Sequence, residues 1–171
     1  MAQRRTVVIV GANLAGGRAA EALRQEGFDG RIFLVGAEPD PPYERPPLSK
    51  EYLRGEAPRE KLFIRPDSFW REQEVELVLG VRAAAVDLQS RRVTLETGQT
   101  LQYDMLLLAT GGRVRRLEVP GAHLEGVHYL RTIADSERIG AELRPGRRLV
   151  VIGAGFIGAE VAASARQKGV E

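Results

Sequence analysis

The sequence of 171 residues contains no cysteine, only two histidines and one tryptophan, and no long apolar run. Without cysteine the chain holds no disulfide framework, no thiolate metal site and no Cys-x-x-Cys redox pair. His123 and His128 flank a glycine-containing turn without metal-ligand companions, so no metal is expected. No apolar stretch approaches the ~20 residues of a membrane helix, and no membrane partner is expected. Charge of either sign is nearly balanced, 25 Lys and Arg against 23 Asp and Glu, for a formal net charge of +2. The arginines are scattered, so no nucleic-acid partner is expected either. Ser49, Ser68, Ser90, Ser136 and Ser164 lack the setting of a nucleophile elbow. Arg4-Arg5 ahead of a short apolar run could be taken for an export signal, but the glycines that follow sit where a nucleotide turn needs them. A cytoplasmic protein is expected.

What the chain does have is one arrangement used twice. Val7–Val10 runs into Gly11-x-x-x-x-Gly16, and Val150–Ile152 runs into Gly153-x-Gly155-x-x-Gly158. Each is a short β-branched run that stops at a glycine and resumes as a helical pattern. This is how a buried parallel strand turns into a helix whose N-terminus faces a phosphate. Aligned Gly11 on Gly153, the units match without a gap to Gly27 and Gly169, with identities at Gly11, Ala12, Gly16, Ala20, Arg24, Gln25 and Gly27. Such an internal repeat predicts two nucleotides held by two similar domains, and electron transfer between them.

Periodicity predicts a strand over 6–10, a helix over 14–26 ended by Gly27, and a strand over 31–35, which makes one β-α-β unit. The proline-rich stretch 39–47 is read as a stiff loop that is neither helix nor inner strand. Short helices are expected over 48–53 and 66–73, with Trp70 packing. Residues 75–79, 83–88, 92–96 and 100–103 read as an antiparallel meander. The continuous apolar run 105–109 reads as a strand buried on both faces. A crossover over 113–126, a strand over 127–130 and a helix over 132–143 lead to the second unit. The expected fold is α/β: a Rossmann-like domain with a parallel sheet and an inserted antiparallel meander over 1–117, and the start of a similar domain over 118–171. The second unit stops at Glu171, where its own second strand is due, so a longer parent protein is expected.

The residues that carry chemistry follow from these turns. Pyrophosphate needs close backbone approach and helix amides, which points to Gly11, Asn13, Leu14, Ala15 and Gly16 at the first turn and to Gly153, Gly155, Phe156, Ile157 and Gly158 at the second. Asn13 replaces the usual middle glycine; asparagine tolerates a left-handed backbone, but its side chain makes close approach less secure. Glu38 lies where an acid accepts from an adenosine ribose, or is an exposed loop glutamate. Lys50, behind a rigid loop, can reach a flavin ring or pair with a carboxylate. Glu160 can serve beside it, or can be a favourable charge in the first turn of a helix. Together they suit steering of charge near a flavin.

The succession Gly11–Gly16, Glu38, Arg45-Pro-Pro-Leu-Ser-Lys50, Leu108-Ala-Thr-Gly111, Tyr129-Leu-Arg-Thr132 and Gly153–Glu160 resembles the FAD-dependent NAD(P)H:ferredoxin or rubredoxin reductases of bacterial oxygenase systems. These are of the putidaredoxin-reductase type within the pyridine nucleotide-disulfide oxidoreductase superfamily. The resemblance covers essentially the whole chain. It implies FAD at the first turn and NAD(H) or NADP(H) at the second. It places Ala15 and its loop on the FAD pyrophosphate, Glu38 on the ribose, and Ala83 on the adenine through its backbone. Arg45, Lys50, Arg131 and the Thr110-Gly111 segment fall to the FAD side, and Lys50 and Glu160 to the catalytic centre. Glutathione-reductase-like relatives carry a redox cysteine near the position of Pro41–Ser49. Its absence here implies direct transfer to an outside acceptor, a ferredoxin or rubredoxin-like protein. A related flavoprotein with another acceptor, such as a quinone or a nitrite-reductase system, and a non-catalytic module like the apoptosis-inducing flavoproteins are the alternatives.

Overall fold

The computed structural model describes residues 4–171. In chain order the elements are β1 (Thr6–Val10), α1 (Leu14–Gln25), β2 (Arg31–Val35), α2 (Glu51–Arg54), α3 (Asp67–Glu72), β3 (Val75–Val78), β4 (Ala83–Asp87), β5 (Arg92–Leu95), β6 (Thr100–Gln102), β7 (Met105–Leu108), α4 (Ile133–Glu142) and α5 (Phe156–Gln167). The chain forms two compact units. One comprises residues up to Glu44 together with Phe63–Gly111; the other comprises Arg45–Leu62 and Gly112–Glu171.

In the first unit a parallel sheet of order β3-β2-β1-β7 has β1 at its centre. After their first residues the two central strands, β1 and β2, are apolar and buried because both faces are covered, and the two faces separate with period two. Val8, Val10, Phe33 and Val35 pack with Val93, Leu95, Leu101 and Tyr103 of the β4-β5-β6 layer. Val7, Ile9, Ile32 and Leu34 pack with Ala20 of α1 and with Ile64, Trp70 and Val75. Trp70 is 1% exposed and meets Phe69 edge to face, as its packing role requires.

Arg24 holds the far end of α1 in a way that its place in the repeat did not announce. Its guanidinium donates to the carbonyls of Gln73, Phe28, Gly30 and Glu74. The loops before β2 and β3 are thereby tied to one side chain. Its repeat partner Arg166 likewise donates four residues ahead, to the carbonyl of Val170 at 3.0 Å.

Four expectations need correction. Val75–Val78 is not part of the meander: it pairs parallel with β2, Ile32 facing Val75 through Val35 facing Val78. Only β4, β5 and β6 form the antiparallel sheet. The run 105–109 is not buried on both faces. β7 pairs with β1 on one side only, and Leu108 is 61% exposed. Residues 127–130 and 150–152 are not strands, because a strand exists only as a ladder with a neighbour. Val150 and Ile152 are 76% and 77% exposed. Pairing begins instead beside them: Leu149 N donates to Glu171 O, and Glu171 N to Arg147 O. In the first unit Arg5, the repeat partner of Arg147, accepts in the same way from Arg31 N as β2 opens. Finally, the proline-rich stretch does enter a helix. Pro46–Ser49 is a 3-10 turn with its prolines at the first two positions, where a missing N–H costs nothing.

The second unit is built on a small core of Leu53, Ile139, Leu143, Val161, Ala165 and Val170. Arg45–Leu62 belongs here because α2 contributes Leu53 and because two buried serines grip the turn before it. Ser136 of α4 donates to Leu48 O and Ser164 of α5 to Ser49 O, both at 2.7 Å. Thr132 and Asp135 close a reciprocal capping box at the start of α4. Tyr52 donates to Glu137, and burial together with that carboxylate pushes its phenol up to about 12.

Candidate functional site

The first unit presents its site at the carboxyl ends of β1, β2 and β7, where the neighbours on the two sides of the central strand come from distant parts of the chain. Gly11 ends β1 with φ +123°, and its N–H is held by Val35 O at 2.8 Å. A Cβ on Gly11 would lie 2.0 Å from Ala109 O, and one on Gly16 would lie 1.9 Å from Gly11 O. Backbone therefore packs directly on backbone around the turn, which is the close geometry that a pyrophosphate loop requires.

Asn13 does not adopt a left-handed backbone. Its φ is −111° and its side chain is the N-cap of α1, accepting from Ala15 N at 3.1 Å and Gly16 N at 3.4 Å. Its amide nitrogen donates to Ala109 O at 2.5 Å, which joins the turn to the end of β7. The middle position of the motif tolerates a side chain: at Gly155, its repeat partner, φ is −76° and an added Cβ meets nothing within 4 Å. Replacing Asn13 by glycine, the residue usual at this position, is accordingly expected to destabilise the protein by about 1 kcal/mol through the lost cap and the freed carbonyl. Thermal unfolding of Asn13→Gly against the parent protein measures this.

Glu38 lies three residues beyond β2 and accepts a hydrogen bond from the hydroxyl of Tyr43. Its own carbonyl accepts from Gly80 N at 2.9 Å, and Gly36 O accepts from Val81 N. These bonds bring the start of β4 beside Glu38. Ala83 opens that strand at a break in register with β5. Thr110 and Gly111 follow β7, Gly111 with φ +66°. The structure thus gathers Gly11, Asn13, Leu14, Ala15, Gly16, Glu38, Ala83, Thr110 and Gly111 on one end of one unit.

In the second unit Lys50 Nζ lies 2.8 Å from Glu160 Oε2, with both side chains partly exposed. Ser49 Oγ donates to the same carboxylate oxygen at 2.5 Å. Lys50 and then Ser49 hold the Glu160 carboxyl below the usual carboxylate range. Because that value is depressed in the folded state, the pair's contribution to stability is complete above the ordinary carboxylate pKa. It is lost as pH falls through the depressed value. The gap in unfolding midpoint between the parent protein and Glu160→Gln should therefore close only on the acid side in a titration from about pH 7 to about pH 3.

Arg45 donates to the carbonyl of Arg131, whose amide donates to Asp135 at 3.1 Å. The turn Gly153–Gly158 opens α5, with Gly155 as its N-cap and Phe156 and Ile157 exposed. Sequence reasoning missed the three buried serines, which do no chemistry but fix the segment that carries Lys50. One signal for them existed: Ser164 lies four residues after Glu160 and so on the same face of α5. His128 is engaged with Glu142 at 2.7 Å. Among the described residues no cluster of His, Cys, Asp or Glu could hold a metal, and no helix is long and apolar enough to cross a membrane.

Known proteins resemble the chain in sequence and fold. Rhodocoxin reductase of Rhodococcus erythropolis is 48% identical over 166 residues, which cover 97% of this chain and 39% of that protein. A ferredoxin–NAD(P)(+) reductase of Sphingomonas sp. is 50% identical over 157 residues, covering 92% of this chain and 38% of that protein. Among solved structures, the covalent putidaredoxin reductase–putidaredoxin complex matches with a TM-score of 0.92 at 42% identity, over 98% of this chain and 41% of that one. The chain spans about two fifths of the length of these relatives. Residues 5–171 match the family model for pyridine nucleotide-disulphide oxidoreductases, and the chain belongs to that family.

Proposed function

We propose that the chain is the nucleotide-binding portion of a cytoplasmic FAD-dependent reductase that passes electrons from NAD(P)H to a ferredoxin-type iron–sulfur protein of an oxygenase system. The observation that carries this reading is the 2.8 Å ion pair of Lys50 and Glu160, which stands on a loop free of cysteine. A family member without a dithiol at this point must hand electrons directly to an external acceptor. The named relatives are ferredoxin and rhodocoxin reductases, which favours an iron–sulfur acceptor over a quinone.

Residues 1–117 are assigned to FAD and 118–171 to the start of the NAD(P)H domain. The glycine turn Gly11–Gly16 with the amides of α1 fits the FAD pyrophosphate, Glu38 the ribose, and the Ala83 backbone the adenine. Thr110, Gly111, Arg45 and Arg131 serve the rest of the cofactor. Gly153, Gly155, Phe156, Ile157 and Gly158 take the nicotinamide nucleotide. Bound FAD would supply the exchange between a two-electron hydride donor and one-electron acceptors. Lys50 holds positive charge beside the flavin side, and Glu160, kept ionised by Lys50 and Ser49, fixes the direction of the ammonium group. Ser136 and Ser164 keep the Lys50 segment from moving.

The test is NADH-driven reduction of cytochrome c with and without added ferredoxin. Reduction that requires ferredoxin supports the proposal. Reduction of a quinone with no effect of ferredoxin would replace it with a different acceptor.

A further inference from the structure

We propose that Tyr43 is a positioning residue for adenosine recognition: it locks the Glu38 carboxylate in the orientation that receives the ribose. This rests on the assignment of Glu38 to the FAD ribose. Glu38 follows a strand end on a loop, and the Tyr43 hydroxyl directs its carboxylate by donating to Oε2. A hydroxyl donated to a carboxylate is a strong, directional bond.

Tyr43 can do this because it is itself immobilised. It is 2% exposed. Its backbone bridges Phe63, and the neighbouring Pro42 O accepts from Ile64 N at 3.0 Å. This pair of segments is seated on α1 at Gly17, where a Cβ would come within 2.6 Å of Pro42 Cβ and 2.7 Å of Ile64 Cδ1. The next residue, Arg65, is clamped to α1 through Glu21, which is 5% exposed and is held by Arg18 as well. The Arg18 hydrogen bond, with Arg65, keeps the Glu21 carboxyl below the usual carboxylate range, so the clamp stays ionised at neutral pH. The hydroxyl is thus referenced to the helix whose first turn forms the glycine loop. Two parts of one nucleotide, pyrophosphate and ribose, would be read from the same rigid frame.

The experiment is a double-mutant cycle on FAD affinity, measured by flavin fluorescence quenching in the apoprotein, with Tyr43→Phe, Glu38→Gln and the double variant. Tyr43→Phe keeps the buried ring, and its unfolding midpoint is recorded alongside. Tyr43→Phe is expected to weaken FAD about tenfold and to change affinity less than about twofold in the Glu38→Gln background. An equal loss in both backgrounds, or no loss in either, overturns the role of Tyr43 while leaving Glu38 on the ribose. Unchanged affinity in Glu38→Gln alone overturns the assignment of Glu38, and the inference with it.

Discussion

Gly11→Ala is expected to destabilise the protein by about 4 kcal/mol and to abolish FAD uptake. Two causes coincide there. The backbone sits at φ +123°, and an added Cβ would lie 2.0 Å from the Ala109 carbonyl oxygen. A backbone oxygen at the end of β7 cannot yield as a flexible side chain would, so either the turn or the β1–β7 pairing must break. The second turn separates the causes. Gly153 has φ +105° but nothing within 4 Å of an added Cβ, so Gly153→Ala should cost only about 1–2 kcal/mol of backbone strain. Gly155→Ala, with neither strain nor contact, should cost about 0.5 kcal/mol, as expected of alanine for glycine at an N-cap. Chemical denaturation of the three variants gives the order, and a Gly11→Ala protein as stable as Gly155→Ala would contradict the close-packed turn.

Lys50→Met is expected to slow NADH-driven flavin reduction about hundredfold, as loss of one preorganised charge near a reacting centre does elsewhere. Its effect on stability should be small. The ion pair with Glu160 is partly exposed, 40% and 33% at the two side chains, and such pairs contribute little to folding. Glu160→Gln should fall between the parent protein and Lys50→Met in rate, because it leaves the ammonium group present but less well directed. Stopped-flow reduction under anaerobic conditions, with retained FAD checked by absorbance, measures both. An unchanged rate in Lys50→Met would reduce the pair to a surface contact at a helix start.

The β1-α1-β2 unit was legible in the sequence because three independent signals coincide there: a β-branched run, glycines at the turn, and small residues on the buried stripe of the helix. Lys50 with Glu160 was legible for a different reason. Each stands at a fixed place in a repeated or proline-stiffened motif, and the structure joins them at 2.8 Å. The partner of β3 was not legible. Val75-Glu-Leu-Val78 alternates like an antiparallel edge strand, and its parallel pairing with β2 is decided by tertiary contacts such as Trp70 and Ile64 on one face. The exposure of β7 was hidden because an apolar run reports what a strand is suited to bury, not how many neighbours it has. Asn13 misled through composition. Read as a substitute for glycine, it suggested a left-handed turn; its side chain in fact does what glycine cannot, capping α1 and holding Ala109. The buried serines were overlooked because serine within a helix is neutral in pattern, and only packing shows that its hydroxyl is spent on another segment's carbonyl.

Electron transfer from a nicotinamide nucleotide through a flavin to an iron–sulfur protein is tested most directly by anaerobic stoichiometry on the FAD-loaded protein. One equivalent of NADH should bleach the flavin, and two equivalents of a one-electron ferredoxin should restore its colour. Failure to take up FAD, or restoration by a quinone but not by ferredoxin, would contradict that route.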